Sequence, residues 1–263
     1  MKKTLTRLLL ASAVGVAGNV SADMVSTPVS YDIAGQAYQG TLVYDDSIRD
    51  TRPGLLMVPN WMGVTSGAEQ KAREVAGSDY VVFIADLYGK DIRPQNTDEA
   101  SQAATTVRSD RAMMRERVNA ALEVFRAQAD RAPLDVDNIA AIGFCFGGGA
   151  VLELARSGTD VKGVVSFHGN LDTPDPQDAK AIRTPVLVLH GADDPFVPEE
   201  QVLAFQQEMR NAGVDWQLNS YGGAVHSFTD PAANMPGKAE YNPVVAGRAF
   251  AAMRHFLDEH MAR

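Results

Sequence analysis

The chain has 263 residues, of which 45% are hydrophobic and 22% are charged, a balance typical of a globular protein with a sizeable core. Its formal net charge is −9, from 24 lysine and arginine residues against 33 aspartate and glutamate residues. An acidic surface repels phosphate backbones and anionic lipids, so we expect binding neither to nucleic acid nor to membrane surfaces.

The N-terminal segment, residues 1–22, has the pattern of a secretory signal peptide. Its first seven residues include three basic side chains, an apolar run follows, and Val20-Ser21-Ala22 supplies the small residues that a signal peptidase reads. The apolar run is shorter than the roughly 20 residues that a spanning helix needs. We therefore expect an exported protein that begins near Asp23, in a bacterial periplasm, and that has no membrane association once the signal is removed. An uncleaved N-terminal anchor is the alternative.

Beyond the signal, short apolar runs alternate with segments of helical periodicity. Ala34-Gly35 separates the first two strands and predicts a hairpin, and Thr97 or Asp98 can cap the longest helix. The later strands are continuously apolar, which is typical of a mostly parallel sheet with helices on both faces. No repeat or linker divides residues 23–263, so we expect one α/β domain. The predicted strands are 29–33, 38–44, 54–59, 80–85, 139–144, 161–167, 186–190 and 216–221, and the predicted helices are 66–76, 97–129, 150–156, 199–211 and 243–260.

The only cysteine of the chain lies in Gly143-Phe144-Cys145-Phe146-Gly147, between a predicted strand and a predicted helix. A turn of the form G-x-nucleophile-x-G holds its central side chain at the edge of the sheet in a strained backbone conformation, and its glycines avoid clashes between strand and helix. The start of the helix favours a thiolate, and the backbone N–H of Phe146 is suited to an oxyanion. The competing interpretation is a small buried cysteine in a tightly packed turn.

An acid and a histidine follow in the chain order that α/β-hydrolases use. Asp194 comes after the strand 186–190 and precedes a Pro-x-Val-Pro turn, so we interpret it as the acid that orients a histidine and Asp193 as a turn residue. His226 comes just after the last predicted strand. Together these positions predict a catalytic triad of Cys145, Asp194 and His226.

With these three elements, the chain resembles the dienelactone hydrolase family of α/β-hydrolases from about Thr27 to its C-terminus. The resemblance includes the segments 58–63 and 86–89, which follow the first two buried strands. It implies the α/β-hydrolase fold, with a mostly parallel central sheet and helices on both faces. It also implies hydrolysis of small esters or lactones, with the backbone N–H of Trp61 as the second oxyanion donor beside that of Phe146.

Four further residues are assigned on the same basis. Asn60, Tyr88 and His168 are candidate substrate-binding residues, and Asp86 is expected to form a turn. For His168, which follows a predicted strand, a structural role in the core is the commoner alternative. None of these assignments depends on a metal or a cofactor.

Two positions depart from the pattern of family members that act on anionic lactones. Those proteins carry a glutamate that helps to activate the thiol where this chain has Asn60, and an arginine that holds the substrate carboxylate where it has Asp230. Asparagine cannot accept a proton as glutamate does, and aspartate repels an anion. We therefore expect His226 to carry more of the activation and neutral esters or lactones to be the better substrates. An arginine within 108–117 could compensate.

No motif in the sequence calls for a cofactor or a metal. There is no G-x-G-x-x-G after a strand, no P-loop, no C-x-x-C and no H-E-x-x-H. We therefore expect no cofactor, a small-molecule ester or lactone as the partner, and a monomer or weak dimer. The rival hypothesis is a non-catalytic small-molecule binding or redox-sensing protein on the same fold, and the reactivity of the thiol would separate the two.

Overall fold

The computed structural model describes residues 24–262, so the signal peptide predicted over 1–22 lies outside the described residues. Eight strands form one sheet, in the spatial order β1-β2-β4-β3-β5-β6-β7-β8 with the bounds that follow. They are β1 Met24–Ile33, β2 Gln36–Asp45, β3 Arg52–Val58, β4 Val81–Ile84, β5 Leu134–Phe144, β6 Val164–Phe167, β7 Val186–Gly191 and β8 Trp216–Tyr221. The β1–β2 and β2–β4 pairs are antiparallel and the other five pairs are parallel, which confirms the mostly parallel sheet.

Helices cover both faces of this sheet. Those of the described chain are α1 Ser66–Ala76, α2 Thr97–Ser109, α3 Arg111–Arg126, α4 Phe146–Arg156, α5 Glu199–Ala212 and α6 Pro243–His260. Buried residues of α2, α3, α4 and α5 share one apolar cluster with the sheet, and those of α1 and α6 share a second. The fold is therefore the three-layer α/β arrangement that the sequence predicts. Within residues 24–262, no helix combines the length and the apolar character needed to cross a membrane.

The prediction of one helix over 97–129 is wrong, because the helix is interrupted at Asp110 and two separate helices form. This residue is extended, and its carboxylate accepts the backbone N–H of Met113, so that it caps α3 while ending α2. The cap of α2 is Asn96 rather than Thr97 or Asp98, since the Asn96 side chain accepts the N–H of Glu99.

The predicted hairpin is confirmed. Both turn residues, Ala34 and Gly35, have positive φ angles, of 51° and 85°. This is the mirror-image two-residue turn whose twist suits antiparallel strands. A much smaller ladder, which the sequence analysis missed, pairs β9 (Asn234–Met235) with β10 (Ala239–Glu240).

Candidate active site

The turn between β5 and α4 presents Cys145 at the C-terminal edge of the sheet. Cys145 has φ 55° and ψ −118°, a conformation that costs a non-glycine residue on the order of 1–3 kcal/mol. Glycines on either side make the tight turn possible, because a Cβ on Gly143 would overlap the carbonyl group of Gly147, and one on Gly147 would overlap that of Val58. The sulfur-bearing side chain is half-buried, and α4 begins directly behind it.

The acid and the histidine come from two neighbouring parallel strands. Nδ1 of His226, which follows β8, lies 2.7 Å from Oδ2 of Asp194, which follows β7. The other carboxylate oxygen of Asp194 accepts the N–H of Phe196 at 2.9 Å. Asp193 instead accepts the N–H of Gly223 at 3.0 Å. The structure therefore places Asp194 against the histidine and Asp193 in the turn.

The short β9–β10 ladder holds the backbone of His226 from the other side. The N–H of His226 donates to the carbonyl of Lys238 at 3.1 Å, and the N–H of Glu240 donates back to the carbonyl of His226 at 3.0 Å. The ring of Phe196 stands edge-on to the imidazole with their centroids 5.2 Å apart. These contacts fix the backbone of His226 and pack against one side of its ring.

The pKa of the Cys145 thiol is set by burial, by His226 and by the backbone N–H groups of Phe146 and Trp61. Burial raises this pKa, but His226 and the two amides stabilise the thiolate and outweigh burial, so that the pKa is lowered from its usual value. Burial likewise lowers the pKa of His226, but hydrogen bonds to Asp194 and Cys145 raise it to about 10. The two shifts together favour transfer of the thiol proton to the imidazole.

The loop after β3 brings the Trp61 amide to the thiol. Oδ1 of Asn60 accepts the N–H of Met62 at 3.0 Å, and the carbonyl of Asn60 accepts the N–H of Gly63 at 2.9 Å. The hydroxyl of Tyr88 donates to the carbonyl of Trp61 at 2.9 Å. The peptide groups on both sides of Trp61 are therefore held, and Asn60 contributes to the shape of this loop.

Tyr88 does not line the cavity that contains Cys145, which corrects its assignment to substrate binding. It is only 3% exposed, and its ring packs on that of Phe146 with centroids 5.4 Å apart. Its hydroxyl is already bonded to the carbonyl of Trp61, so the side chain supports the loop that carries this residue. Asp86 forms the expected turn, because its carboxylate accepts the N–H groups of Tyr88 and Gly89 at 3.0 and 3.1 Å.

His168 is also placed beneath the Cys145 cavity rather than in its wall. It is 2% exposed, and its Nδ1 accepts the N–H of Cys145 at 3.2 Å while its Nε2 lies 2.8 Å from Oγ1 of Thr229. Both ring nitrogens are therefore engaged by the protein. Its assignment to substrate binding is corrected for this reason.

The cavity above Cys145 has a volume of about 520 Å³ and a mixed lining. Asn60, as predicted from the sequence, lies in its wall. Arg108 also lies in the wall, whereas the other arginines of 108–117 are engaged elsewhere. The sequence analysis did not identify the apolar residues of this wall, among them Phe196 and Met235. Phe196 could have been inferred from its place two residues after Asp194. Its principal lining residues are Asn60, Trp61, Ala104, Arg108, Cys145, Phe146, Phe196, Val197, His226, Asp230 and Met235.

Among residues 24–262, no group of three or more histidine, cysteine, aspartate or glutamate side chains is arranged to hold a metal ion.

A mostly parallel sheet with a strained nucleophile turn and an acid–histidine pair at its C-terminal edge defines an α/β-hydrolase. The family follows from comparison: the sequence model of the dienelactone hydrolase family matches residues 39–261. The chain belongs to this family, and it is a hydrolase of the class that acts on esters or lactones.

Solved structures and curated proteins agree with this placement. A structure described as m3DLH is 38% identical with a TM-score of 0.84, and the match covers 91% of this chain and 99% of that one. A dienelactone hydrolase-like promiscuous phosphotriesterase from metagenomic libraries is 36% identical with a TM-score of 0.85, over 92% of this chain and all of that one. A probable 2-oxo-3-(5-oxofuran-2-ylidene)propanoate lactonase of Bradyrhizobium sp is 24% identical over 80% of this chain and 84% of its own length.

Proposed function

We propose that this protein hydrolyses small neutral esters or lactones through a thioester on Cys145. The supporting observation is the hydrogen bond between His226 and Asp194, together with a Cys145 thiol whose pKa is lowered by His226 and by two backbone amides. The amides of Trp61 and Phe146 are close enough to the nucleophile to hold the oxygen of the carbonyl that it attacks.

In the first half of the reaction, the Cys145 thiolate attacks the carbonyl carbon and the carbonyl oxygen becomes an oxyanion. The imidazolium of His226 then gives its proton to the departing alkoxide, which leaves an acyl group on sulfur. In a lactone, the released hydroxyl stays on the same acyl chain. Asp194 keeps the proton of His226 on Nδ1 and stabilises the imidazolium.

In the second half, water attacks the thioester while His226 accepts a proton from that water. The tetrahedral intermediate collapses to a carboxylic acid, and the sulfur leaves as a thiolate. Because Asn60 cannot accept a proton in the way that a carboxylate does, both proton transfers depend on His226.

Charges at the cavity support a neutral substrate. Asp230 lies in the cavity wall and is half-buried, whereas Arg108 is exposed at the same cavity. Water screens the charge of Arg108 more strongly than that of Asp230, so the net effect on a substrate carboxylate is repulsion.

The direct test is hydrolysis of short nitrophenyl esters by the wild type, Cys145→Ala and Cys145→Ser. We expect Cys145→Ala to lose ester hydrolysis while its circular dichroism matches the wild type, and we expect an acylated wild-type protein by mass spectrometry after a short reaction. Full activity of Cys145→Ala would overturn the proposal.

The rate at which iodoacetamide alkylates Cys145 separates the proposed enzyme from the rival hypothesis of a non-catalytic binding or redox-sensing protein. A thiolate paired with His226 alkylates rapidly at neutral pH, whereas an inert buried thiol does not. A slow reaction together with no turnover of any ester would favour the rival.

A second activity, hydrolysis of phosphotriesters, is suggested by the full-length similarity to the promiscuous phosphotriesterase. The two amides that face the Cys145 sulfur could hold a phosphoryl oxygen in the same way as a carbonyl oxygen. Turnover of a nitrophenyl dialkyl phosphate that disappears in Cys145→Ala would support this activity, and persistence of turnover in that variant would contradict it.

Export is a separate proposal, which depends on the signal-like residues 1–22. In a bacterial host, we expect the protein in the periplasmic fraction with an N-terminus near Asp23. Protein that retains Met1 in the cytosolic fraction would contradict it.

A further inference from the structure

His168 lies directly behind the nucleophile and bonds to its backbone. The N–H of Cys145 is shared between the carbonyl of Phe167 at 3.0 Å and Nδ1 of His168 at 3.2 Å. His168 itself has φ 38°, so the ends of two neighbouring strands each carry a non-glycine residue with a positive φ angle. The imidazole thus supplies one of the two acceptors that hold Cys145 in its strained conformation.

The opposite edge of the same ring reaches the segment that carries His226. Nε2 of His168 lies 2.8 Å from Oγ1 of Thr229, which is three residues after His226 and 2% exposed. Because Nδ1 accepts from Cys145, the neutral ring carries its hydrogen on Nε2 and donates it to the Thr229 hydroxyl. The carbonyl of Thr229 in turn accepts from Nζ of Lys71 at 2.6 Å.

The groups that surround His168 keep it uncharged. Burial lowers its pKa most, and the nearby positive charges of His226 and Lys71 lower it further. A protonated ring would turn an N–H towards the N–H of Cys145 and would lose that bond.

The other neighbours of His168 do not offset these effects on its pKa. They include the rings of Phe144 and Phe228, with centroids 6.2 and 5.0 Å away. Glu74 and Asp230 act on Lys71, and no acid is among the groups that shift the pKa of His168. The ring therefore stays neutral, with an acceptor towards the nucleophile and a donor towards the histidine segment.

We propose that His168 is a positioning residue, whose ring bridges the backbone of Cys145 to Thr229 and so keeps the thiol and the His226 imidazole within hydrogen-bonding reach. This proposal rests on the proposed function of Cys145 and His226 but concerns a residue that does not touch the substrate. A rigid ring with an acceptor on one edge and a donor on the other sets the separation of two segments that are far apart in sequence.

Two pairs of variants test the bridge. Thr229→Val removes the hydroxyl with little change of shape, and Thr229→Ser retains it. His168→Phe removes both ring nitrogens, and His168→Gln retains an acceptor and a donor. The readouts are kcat and KM on nitrophenyl acetate and the pH dependence of Cys145 alkylation by iodoacetamide, with thermal unfolding as the check of folding.

We expect Thr229→Val to lower kcat and the alkylation rate at pH 7 by about tenfold, the effect of one lost hydrogen bond, with KM unchanged. His168→Phe loses both bonds of the ring and should lower kcat and the alkylation rate at least as much. Their alkylation midpoints should move towards that of an ordinary thiol. Thr229→Ser and His168→Gln should stay near the wild type. If Thr229→Val alkylates and turns over within twofold of the wild type, the proposal is overturned, even where His168→Phe does not fold.

Alkylation needs no substrate, so it tests the bridge independently of ester hydrolysis. A wild type that alkylates rapidly but hydrolyses no ester would contradict the proposed function alone. A Thr229→Val variant that loses ester turnover but keeps the wild-type alkylation profile would contradict the bridge alone.

Discussion

The Nδ1 atom of His226 lies 2.7 Å from Oδ2 of Asp194, whose side chain is fully buried. The two residues are 32 positions apart, and they meet because β7 and β8 are parallel neighbours that end at the same edge of the sheet. This contact leaves Nε2 of His226 for the Cys145 thiol. In the proposed mechanism, Nε2 is therefore the nitrogen that exchanges protons with the substrate.

Replacing Asp194 by asparagine tests this relationship. The amide side chain would supply an N–H₂ group or a neutral acceptor in place of the carboxylate, so the imidazolium would lose its stabilising charge. We expect kcat to fall by about 10²–10⁴ with KM little changed. Asp193→Asn is the matched control, because Asp193 bonds to the Gly223 backbone and not to His226. An equal loss in both variants would indicate a structural effect of the turn.

The pH dependence of alkylation follows from the opposite shifts of two pKa values. The pKa of the Cys145 thiol is lowered and that of His226 is raised to about 10, so the thiolate–imidazolium pair persists between them. We expect the iodoacetamide rate to fall as the pH is lowered and the thiolate takes up a proton, with a midpoint below that of an ordinary thiol.

In His226→Ala, the amides remain but the imidazolium is absent, so the midpoint of alkylation should move upwards. His255→Ala, on the exposed part of α6, is the control and should match the wild type. A wild-type midpoint at the value of an ordinary thiol would refute the ion pair.

The charge of Asp230 should govern the choice between neutral and anionic substrates. We expect the wild type to give a higher kcat/KM on the methyl ester of a lactone carboxylate than on the free acid. Asp230→Arg should turn the repulsion of a substrate carboxylate into an attraction and raise kcat/KM on the free acid by about tenfold or more. Asp230→Asn should have an intermediate effect on the same quantity. High salt should reduce the difference, because the site is open to solvent. A clear wild-type preference for the free acid would contradict this interpretation.

Two glycine substitutions should have opposite effects on stability, because Gly147 lies where α4 closely approaches β3 and Gly247 lies on the exposed side of α6. A Cβ on Gly147 would overlap the carbonyl groups of Val58 and Pro59, which are backbone atoms that cannot rotate away. We expect Gly147→Ala to cost about 1–3 kcal/mol of unfolding free energy, and to lose activity because the Trp61 loop follows Pro59 directly.

Gly247, on the exposed side of α6, has nothing within 4 Å of an added Cβ. Gly247→Ala should therefore raise the free energy of unfolding by about 0.5–1 kcal/mol, since alanine is the better helix former. Urea unfolding measures the change in the free energy of unfolding for both variants. A Gly147→Ala variant as stable as the wild type would contradict the packing argument.

Elements that depend on local chemistry were predictable from the sequence. Helix α1 has the predicted bounds, because the Thr65 side chain accepts the N–H of Ala68 at its start and Gly77 ends it with φ 45°. The long helix was mispredicted at Asp110, where helical periodicity continues across a residue that caps the next helix. Hydrophobic periodicity indicates which face of a helix is apolar, but it does not indicate where one helix ends and the next begins in a new direction.

Residue type and spacing were sufficient to predict the strained turn at Cys145, the contact between Asp194 and His226, and the alternation of strands and helices that defines the fold. They were not sufficient to predict that Tyr88 and His168 face inwards, or that Arg108 and Met235 line the cavity. The direction of a side chain depends on the elements packed against it, and those elements come from distant parts of the chain. Residue types therefore indicate the chemistry available, and packing assigns each side chain to the substrate or to the support of its neighbours.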